Sequence, residues 1–222
     1  MLHKKKEKYK LKQSIELSIV TTLYNSSSYI DQFYKRINIE AAKITPAFEI
    51  IFVDDGSPDN SLEKVKRILE LDKSVTAIEL SRNFGHHQAI MEGLKHARGK
   101  NIFLIDSDLE EPPEALSLFW QEFQNSDFDV IYGVQKERKG NTLEKFSGFI
   151  FYYLFNLFSG TKIPKNLITA RLMSKTYSDS LQYFQEKELF LGGIWSYAGF
   201  KQKALELKKT SESKSTYTLN KK

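Results

Sequence analysis

Ile102-Phe103-Leu104-Ile105-Asp106-Ser107-Asp108 is the stretch whose reading decides the fold. Its apolar residues follow Gly99 and Lys100 and precede Pro112 and Pro113. An unbroken apolar run of this length predicts a strand buried on both faces, as in the parallel sheets of α/β proteins. Ligands of such sheets bind beyond the carboxyl ends of the strands. The run therefore delivers two carboxylates, Asp106 and Asp108, into a cleft. Acids this close repel one another, and a cation relieves the repulsion. The arrangement suggests a divalent metal holding a diphosphate, although a lone Asp-x-Asp also occurs in turns and helix caps.

Upstream, the same pattern repeats. Leu17 to Tyr24 reads as a first strand ending at Asn25-Ser26-Ser27-Ser28, with a serine expected to cap a helix that runs to about Lys43. Phe48 to Val53 reads as a second strand that stops at Asp54-Asp55-Gly56-Ser57, and a helix follows over Ser61 to Leu71. Val75 to Leu80 is the third strand, followed by Ser81-Arg82-Asn83-Phe84-Gly85 and a helix to about Ala97. Three strand-helix units feeding a fourth strand predict a Rossmann-like α/β half with right-handed crossovers. His86 and His87 read as first-turn residues facing solvent, and no pair of the 4 histidines has His-x-x-x-His zinc spacing.

Composition sets the outer bounds. A chain of 222 residues with 41% hydrophobic and 27% charged residues suits one globular domain with a sizeable core. With 0 cysteines there is no disulfide framework and no thiol nucleophile, which favours a reducing, cytoplasmic setting. The net charge of +5 gathers in lysines before the first strand and after Leu207. Such runs read as solvated tails or as contacts with anionic lipid. Nucleic acid is disfavoured, because acids dominate the predicted cleft. The basic N-terminus has no apolar segment behind it, so no secretory signal is expected, and no run reaches the roughly 18 apolar residues of a membrane span.

Four motifs in order, Tyr24-Asn25, Val53-Asp54-Asp55-Gly56-Ser57, Arg82-Asn83-Phe84-Gly85 and Asp106-Ser107-Asp108, each fall at a predicted strand end. Together they resemble family 2 glycosyltransferases, especially polyprenyl-phosphate sugar transferases of the dolichyl-phosphate mannose synthase type. The resemblance spans roughly Glu16 to Tyr217 and is strongest before Glu114. It implies a GT-A fold, an α/β architecture with a mostly parallel central sheet flanked by helices. It also implies a nucleotide-diphosphate sugar donor and Mg²⁺ or Mn²⁺ held by Asp106 and Asp108, with Glu110 as a further ligand where relatives often have Gln. Thr22, Tyr24, Asp54, Asp55 and Arg82 are placed beside the donor nucleotide, and Arg138, Arg171 and Lys209 at its phosphates.

The second half departs from the family pattern in places. Gly133 and Arg138 are kept, but Gln135 stands where relatives often carry a first arginine. Thr169-Ala170-Arg171-Leu172 matches a segment that commonly reads Asp-Phe-Arg-Leu, so Arg171 is retained while the acid is missing. Between them, Phe146 to Phe158 has helical spacing yet is apolar nearly all round. Such a helix must be covered on every side. Burial in the domain, a dimer seam or a lipid interface would each cover it; related transferases have an interfacial helix here. Glu188 to Trp195 and Tyr197 to Phe200 resemble the acceptor-side segment, and Lys209 to Tyr217 resembles a basic loop that folds over the diphosphate.

The sequence is therefore expected to comprise a basic tail over 1–15, a catalytic domain over 16–207 with an interfacial helix at about 143–160, and a flexible basic segment over 208–222. The expected activity is metal-dependent sugar transfer to a polyprenyl phosphate or lipid-linked glycan at the inner face of the cell membrane, with homo-oligomerisation open. A soluble or surface glycan acceptor, and a non-catalytic nucleotide-binding scaffold, are the alternatives. Many relatives continue into two membrane helices, and whether this chain is a short form or a truncated one stays open.

Overall fold

A computed structural model describes residues 14–135, 164, 166–184, 186 and 190–208. The expected 143–160 helix, Arg138, Lys209 and most of both tails lie outside the described residues.

The chain alternates β1 (Leu17–Leu23), α1 (Ile30–Ile44), β2 (Phe48–Asp54), α2 (Ser61–Leu71), β3 (Val75–Glu79), α3 (His86–His96), β4 (Asn101–Leu104) and α4 (Ala115–Gln124). There follow β5 (Val130–Gln135), β6 (Leu167–Ser174), α5 (Lys175–Leu181), α6 (Leu191–Tyr197) and β7 (Gln202–Leu207). The strands form a 7-stranded sheet in the order β3-β2-β1-β4-β6-β5-β7. β1 pairs in parallel with β2 and β4, β2 with β3, and β5 with β7. Only β6 runs against its neighbours, antiparallel to β4 and β5.

Both faces of the sheet are dry, as the apolar runs predict. In β1, Ile19 joins a cluster with Phe33, Phe52, Phe103 and Phe119 under α1 and α4. Its neighbour Val20 joins the opposite cluster with Val53, Leu94, Tyr177 and Trp195 under α3, α5 and α6. Successive side chains of a strand point to opposite faces, so a strand covered on both sides is apolar at most positions, and a buried polar one such as Ser18 needs a partner, here Glu49, to which its hydroxyl donates at 2.7 Å. Burying each large apolar side chain contributes roughly 1.5–3 kcal/mol before ordering costs.

Local details differ from the sequence reading. No serine side chain caps α1: Tyr29 occupies the N-cap without a side-chain bond, and its N–H donates to the Ser26 carbonyl. β4 ends at Leu104, because beyond it Ile105 makes one more bond to the Val20 carbonyl and the chain turns away. Pro112 and Pro113 precede α4, their carbonyls accepting from Ala115 and Leu116 in the turn that starts it.

The topology itself selects a site. From β1 the chain moves outward to β2 and β3, then returns to β4 on the other side of β1. The crossovers diverge at the β1–β4 seam, and such a switch point opens a crevice at the carboxyl ends of the strands.

Candidate active site

That crevice is a cleft of ≈ 310 Å³ lined by Thr22, Tyr24, Ser26, Asp55, Asn83, Gly85, His86, Asp106, Ser107 and Asp108, with Leu23 beneath. Each of the four motif loops contributes to it. β1 extends beyond its last pairing with β4, and the Ser107 hydroxyl donates to the Thr22 carbonyl at 3.0 Å. That bond holds the Asp-Ser-Asp turn against the end of β1. Asp108 is oriented by its own loop, its Oδ1 accepting from the Glu110 N–H at 2.9 Å, while Leu109 takes the left-handed φ of +65°. A non-glycine residue in that region carries a strain of order 1 kcal/mol, held in place by the surrounding structure.

The donor-side rim is knitted by carboxylates that accept backbone N–H groups. Asp55 takes Phe84 N–H at 2.7 Å and Gly85 N–H at 3.0 Å, clamping the Arg82–Gly85 loop to the end of β2. Gly56 makes the clamp possible: its φ is +64°, and a Cβ there would lie 2.7 Å from the Arg82 carbonyl carbon and the Asn83 nitrogen. Asp59 joins two loops through Ser27 N–H and the Ser61 hydroxyl and N–H. Burial works against its charge, but these bonds prevail and hold its carboxyl below the usual range.

Several expected residues sit elsewhere. Asp54 does not line the cleft; it is buried, its Oδ2 accepts from Ser57 N–H, and its Oδ1 has no hydrogen-bond partner among the described residues. Burial raises its carboxyl above the usual range. Arg82 turns back on its own loop, bonding the Asn83 carbonyl at 3.1 Å with its guanidinium 4.2 Å from the Phe84 ring centre. Glu110 is not among the residues that line the cleft, and among the described residues no group of three or more His, Cys, Asp or Glu side chains is placed to hold a metal ion. Tyr24, in contrast, is 48% exposed at the cleft edge, available for stacking and not part of the core.

Arg171 departs furthest from its expected place. Expected at a phosphate, it is 1% exposed beside the cleft floor. Its Nε and Nη2 donate to the Thr169 and Ile168 carbonyls at 3.1 and 3.0 Å, and its guanidinium carbon lies 3.0 Å from the Trp195 ring centre. Burial draws its pKa down to about 9, against the opposing pull of Tyr177, Glu111 and Asp106, so the group is still charged at neutral pH. Glu111, equally buried, accepts the Thr169 N–H at 3.0 Å. The sequence reading gave His86 its exposed first-turn place but not its contacts with Thr22 and Asp106, and it did not single out Glu111. Nothing local marks an acid after the Asp-x-Asp turn as buried, whereas His86 could have been found from its place in the first turn after a strand-end loop.

A model of the family described as glycosyl transferase family 2 matches residues 18–206, from the start of β1 to the end of β7. The chain belongs to that family. Relatives include a Mycobacterium tuberculosis (strain CDC 1551 / Oshkosh) protein bearing the glycosyltransferase name, 44% identical over 208 residues, covering 94% of this chain and 61% of its own length. A prophage bactoprenol glucosyl transferase homolog of Escherichia coli (strain K12) is 30% identical over 193 residues, covering 86% of this chain and 63% of the relative. The family member described here thus spans about three fifths of the curated relatives it matches. Among solved structures, the Pyrobaculum calidifontis mannosyltransferase PcManGT in complex with GDP-Man and Mn²⁺ superposes with a TM-score of 0.60 at 16% identity, covering 86% of this chain and 55% of that one. S. aureus TarS 1-349 in complex with UDP-GlcNAc gives 0.59 at 17% identity, covering 91% and 62%. These likenesses establish the GT-A fold.

Proposed function

We propose that this glycosyltransferase moves a sugar from a nucleotide-diphosphate donor to a membrane-borne lipid phosphate with the help of a divalent cation. The observation that carries the reading is the meeting of Asp106 and Asp108 with Thr22 and Tyr24 in one cleft at the β1–β4 switch point. The donor set fits Mg²⁺ or Mn²⁺: small hard cations bind through one or two carboxylates, completing their shell with water and substrate phosphates, so a third protein ligand is not needed. Asp106 and Asp108 would hold the ion, which when bound neutralises charge on the leaving diphosphate.

The chain's own groups supply the remainder. Tyr24 offers an exposed ring for stacking on a base, and Asp55 keeps the Asn83–Gly85 wall in place for the ribose and base. Arg138 and Lys209 are assigned to the donor phosphates. Thr169 stands where relatives have an acid, which suits an acceptor phosphate, since such a group is already ionised near neutral pH and needs no base. The name of the E. coli relative supports a polyprenyl-phosphate acceptor. Tyr183 and Tyr197, 86% and 69% exposed near α5 and α6, support proximity to lipid, because tyrosine suits a boundary that is apolar on one side and wet on the other. Among the described residues no helix is long and apolar enough to cross a membrane.

The test is Asp108→Asn assayed with a panel of nucleotide sugars, Mn²⁺ and polyprenyl phosphate in vesicles. Transfer is expected to drop at least about 100-fold with the melting temperature of the metal-free protein unchanged. Wild-type turnover that persists in excess chelator overturns the metal assignment, and transfer to a soluble glycan alone overturns the lipid acceptor.

A further inference from the structure

The two aspartates are held in different ways. Asp108 is fixed by the backbone of its own turn, through the Glu110 N–H. Asp106, 27% exposed at its side chain, has one hydrogen-bonding or ion-pairing partner among the described residues: His86, whose Nε2 lies 3.5 Å from its Oδ1. The other ring nitrogen, Nδ1, lies 3.1 Å from the Thr22 hydroxyl. One imidazole therefore joins the end of β1, the first turn of α3 and the turn after β4.

For the neutral ring these contacts also select the tautomer. If Nδ1–H donated to Thr22, the Nε2 lone pair would point at a carboxylate oxygen. With the Thr22 hydroxyl donating to Nδ1, the ring proton sits on Nε2 and faces Asp106, so both contacts are attractive. A separation of 3.5 Å is long for a hydrogen bond, so the contact contributes orientation more than energy. Orientation is what a cation needs from a ligating carboxylate. Ligating carboxylates are generally held by such an outer partner, and its loss typically lowers metal affinity 10–100-fold.

We propose that His86, tethered by Thr22, is the positioning residue that holds Asp106 in its metal-binding orientation without itself ligating the ion. This rests on the reading that Asp106 and Asp108 hold a cation. The experiment is titration of Mn²⁺ alone into the protein, followed through the free-ion EPR signal, for wild type, His86→Ala, His86→Gln, Thr22→Val, Asp106→Asn and, at the far end of α3, His96→Ala. His86→Ala is expected to weaken Mn²⁺ binding about tenfold or more. Thr22→Val keeps the ring but frees it, and is expected to weaken binding less. His86→Gln restores an N–H donor and is expected to recover part of the loss, while His96→Ala leaves affinity unchanged. The bound ion is expected to show no imidazole nitrogen coupling in its electron spin echo spectrum.

Tight binding by His86→Ala together with weak binding by Asp106→Asn overturns the positioning role and leaves the metal reading standing. Equal binding by wild type and Asp106→Asn, or none by wild type, overturns both. A strong nitrogen coupling overturns positioning in favour of direct ligation. A lower metal-free melting temperature in His86→Ala, with no recovery in His86→Gln, shows a merely structural histidine and also overturns it.

Discussion

The two sides of the β1–β4 seam handle charge by opposite means. On the donor side, Asp55, which lines the cleft, and Asp59 accept backbone N–H groups from nearby loops. On the β6 side, Arg171 and Glu111 are each 1% exposed; Arg171 donates to the carbonyls of Ile168 and Thr169 in its own strand and lies against the Trp195 ring, and Glu111 accepts the Thr169 N–H. Asp55 is itself buried at 3% exposed, but its charge is met by two N–H donors of the loop it clamps, so what it holds in place is the cleft wall. Arg171 and Glu111 have opposite charges in one buried region, and removing one leaves the other in a medium that solvates it poorly. Damage on the donor side should therefore appear first as lost binding, and damage on the β6 side first as lost folding.

Arg171→Met is the strongest way to break this contrast. It keeps much of the volume under Trp195 but removes two hydrogen bonds to carbonyls and the positive field acting on Glu111. A stability loss of about 3–5 kcal/mol is expected from urea denaturation. A loss below about 1 kcal/mol, with donor binding abolished, would place Arg171 back among the ligand contacts.

Gly56→Ala tests the other side. A Cβ would meet Arg82 and Asn83 backbone atoms at 2.7 Å in a conformation that L residues rarely adopt, and backbone cannot move aside as a side-chain tip can. The cost is expected to be roughly 1–3 kcal/mol, smaller than at Arg171, with the Arg82–Gly85 wall displaced. Isothermal titration with a nucleotide sugar and Mn²⁺ should show donor affinity falling by more than the stability change alone suggests. An unchanged affinity would mean that the wall does not touch the donor.

The contrast also explains what the sequence could reveal. β1 to β4 and their helices were legible because each strand is an apolar run closed by turn residues, and each donor-side loop is made from residues close in sequence. β6 was not, because its place depends on pairing Asn101 with Ser174 and Leu104 with Arg171, across a long intervening segment. Thr22, Tyr24, Asp55, Asp106 and Asp108 were legible as cleft residues, for each sits at a strand end. Asp54 and Asp55 were not separable: adjacent strand-end residues point to opposite faces, and only the finished sheet shows which faces the cleft. The place of His86 in the first turn of α3 was legible, but its partners Thr22 and Asp106 depended on how α3 packs, and the burial of Glu111 depended on β6, which no local pattern records.

Asp54→Asn has the smallest expected effect on stability and probes the donor side most finely. The Asp54 carboxyl is buried with one oxygen lacking a partner, and burial, with Glu79 and Asp59 adding to it, raises its pKa. A carboxyl raised in the folded state binds its proton more tightly there than in the unfolded chain. Its favourable contribution is complete below the unfolded value of about 4 and is lost as pH rises through the folded value, so at neutral pH the ionised group opposes folding. Asparagine keeps an oxygen for the Ser57 N–H and carries no charge. The variant is expected to be more stable than wild type at pH 7 by about 0.5–2 kcal/mol, with the gap closing toward pH 4, as urea midpoints across that range would show. Asp54 lies outside the cleft lining, so the same variant should bind the nucleotide-sugar donor as tightly as wild type does; a gain in stability with weakened donor affinity would bring Asp54 back into the site.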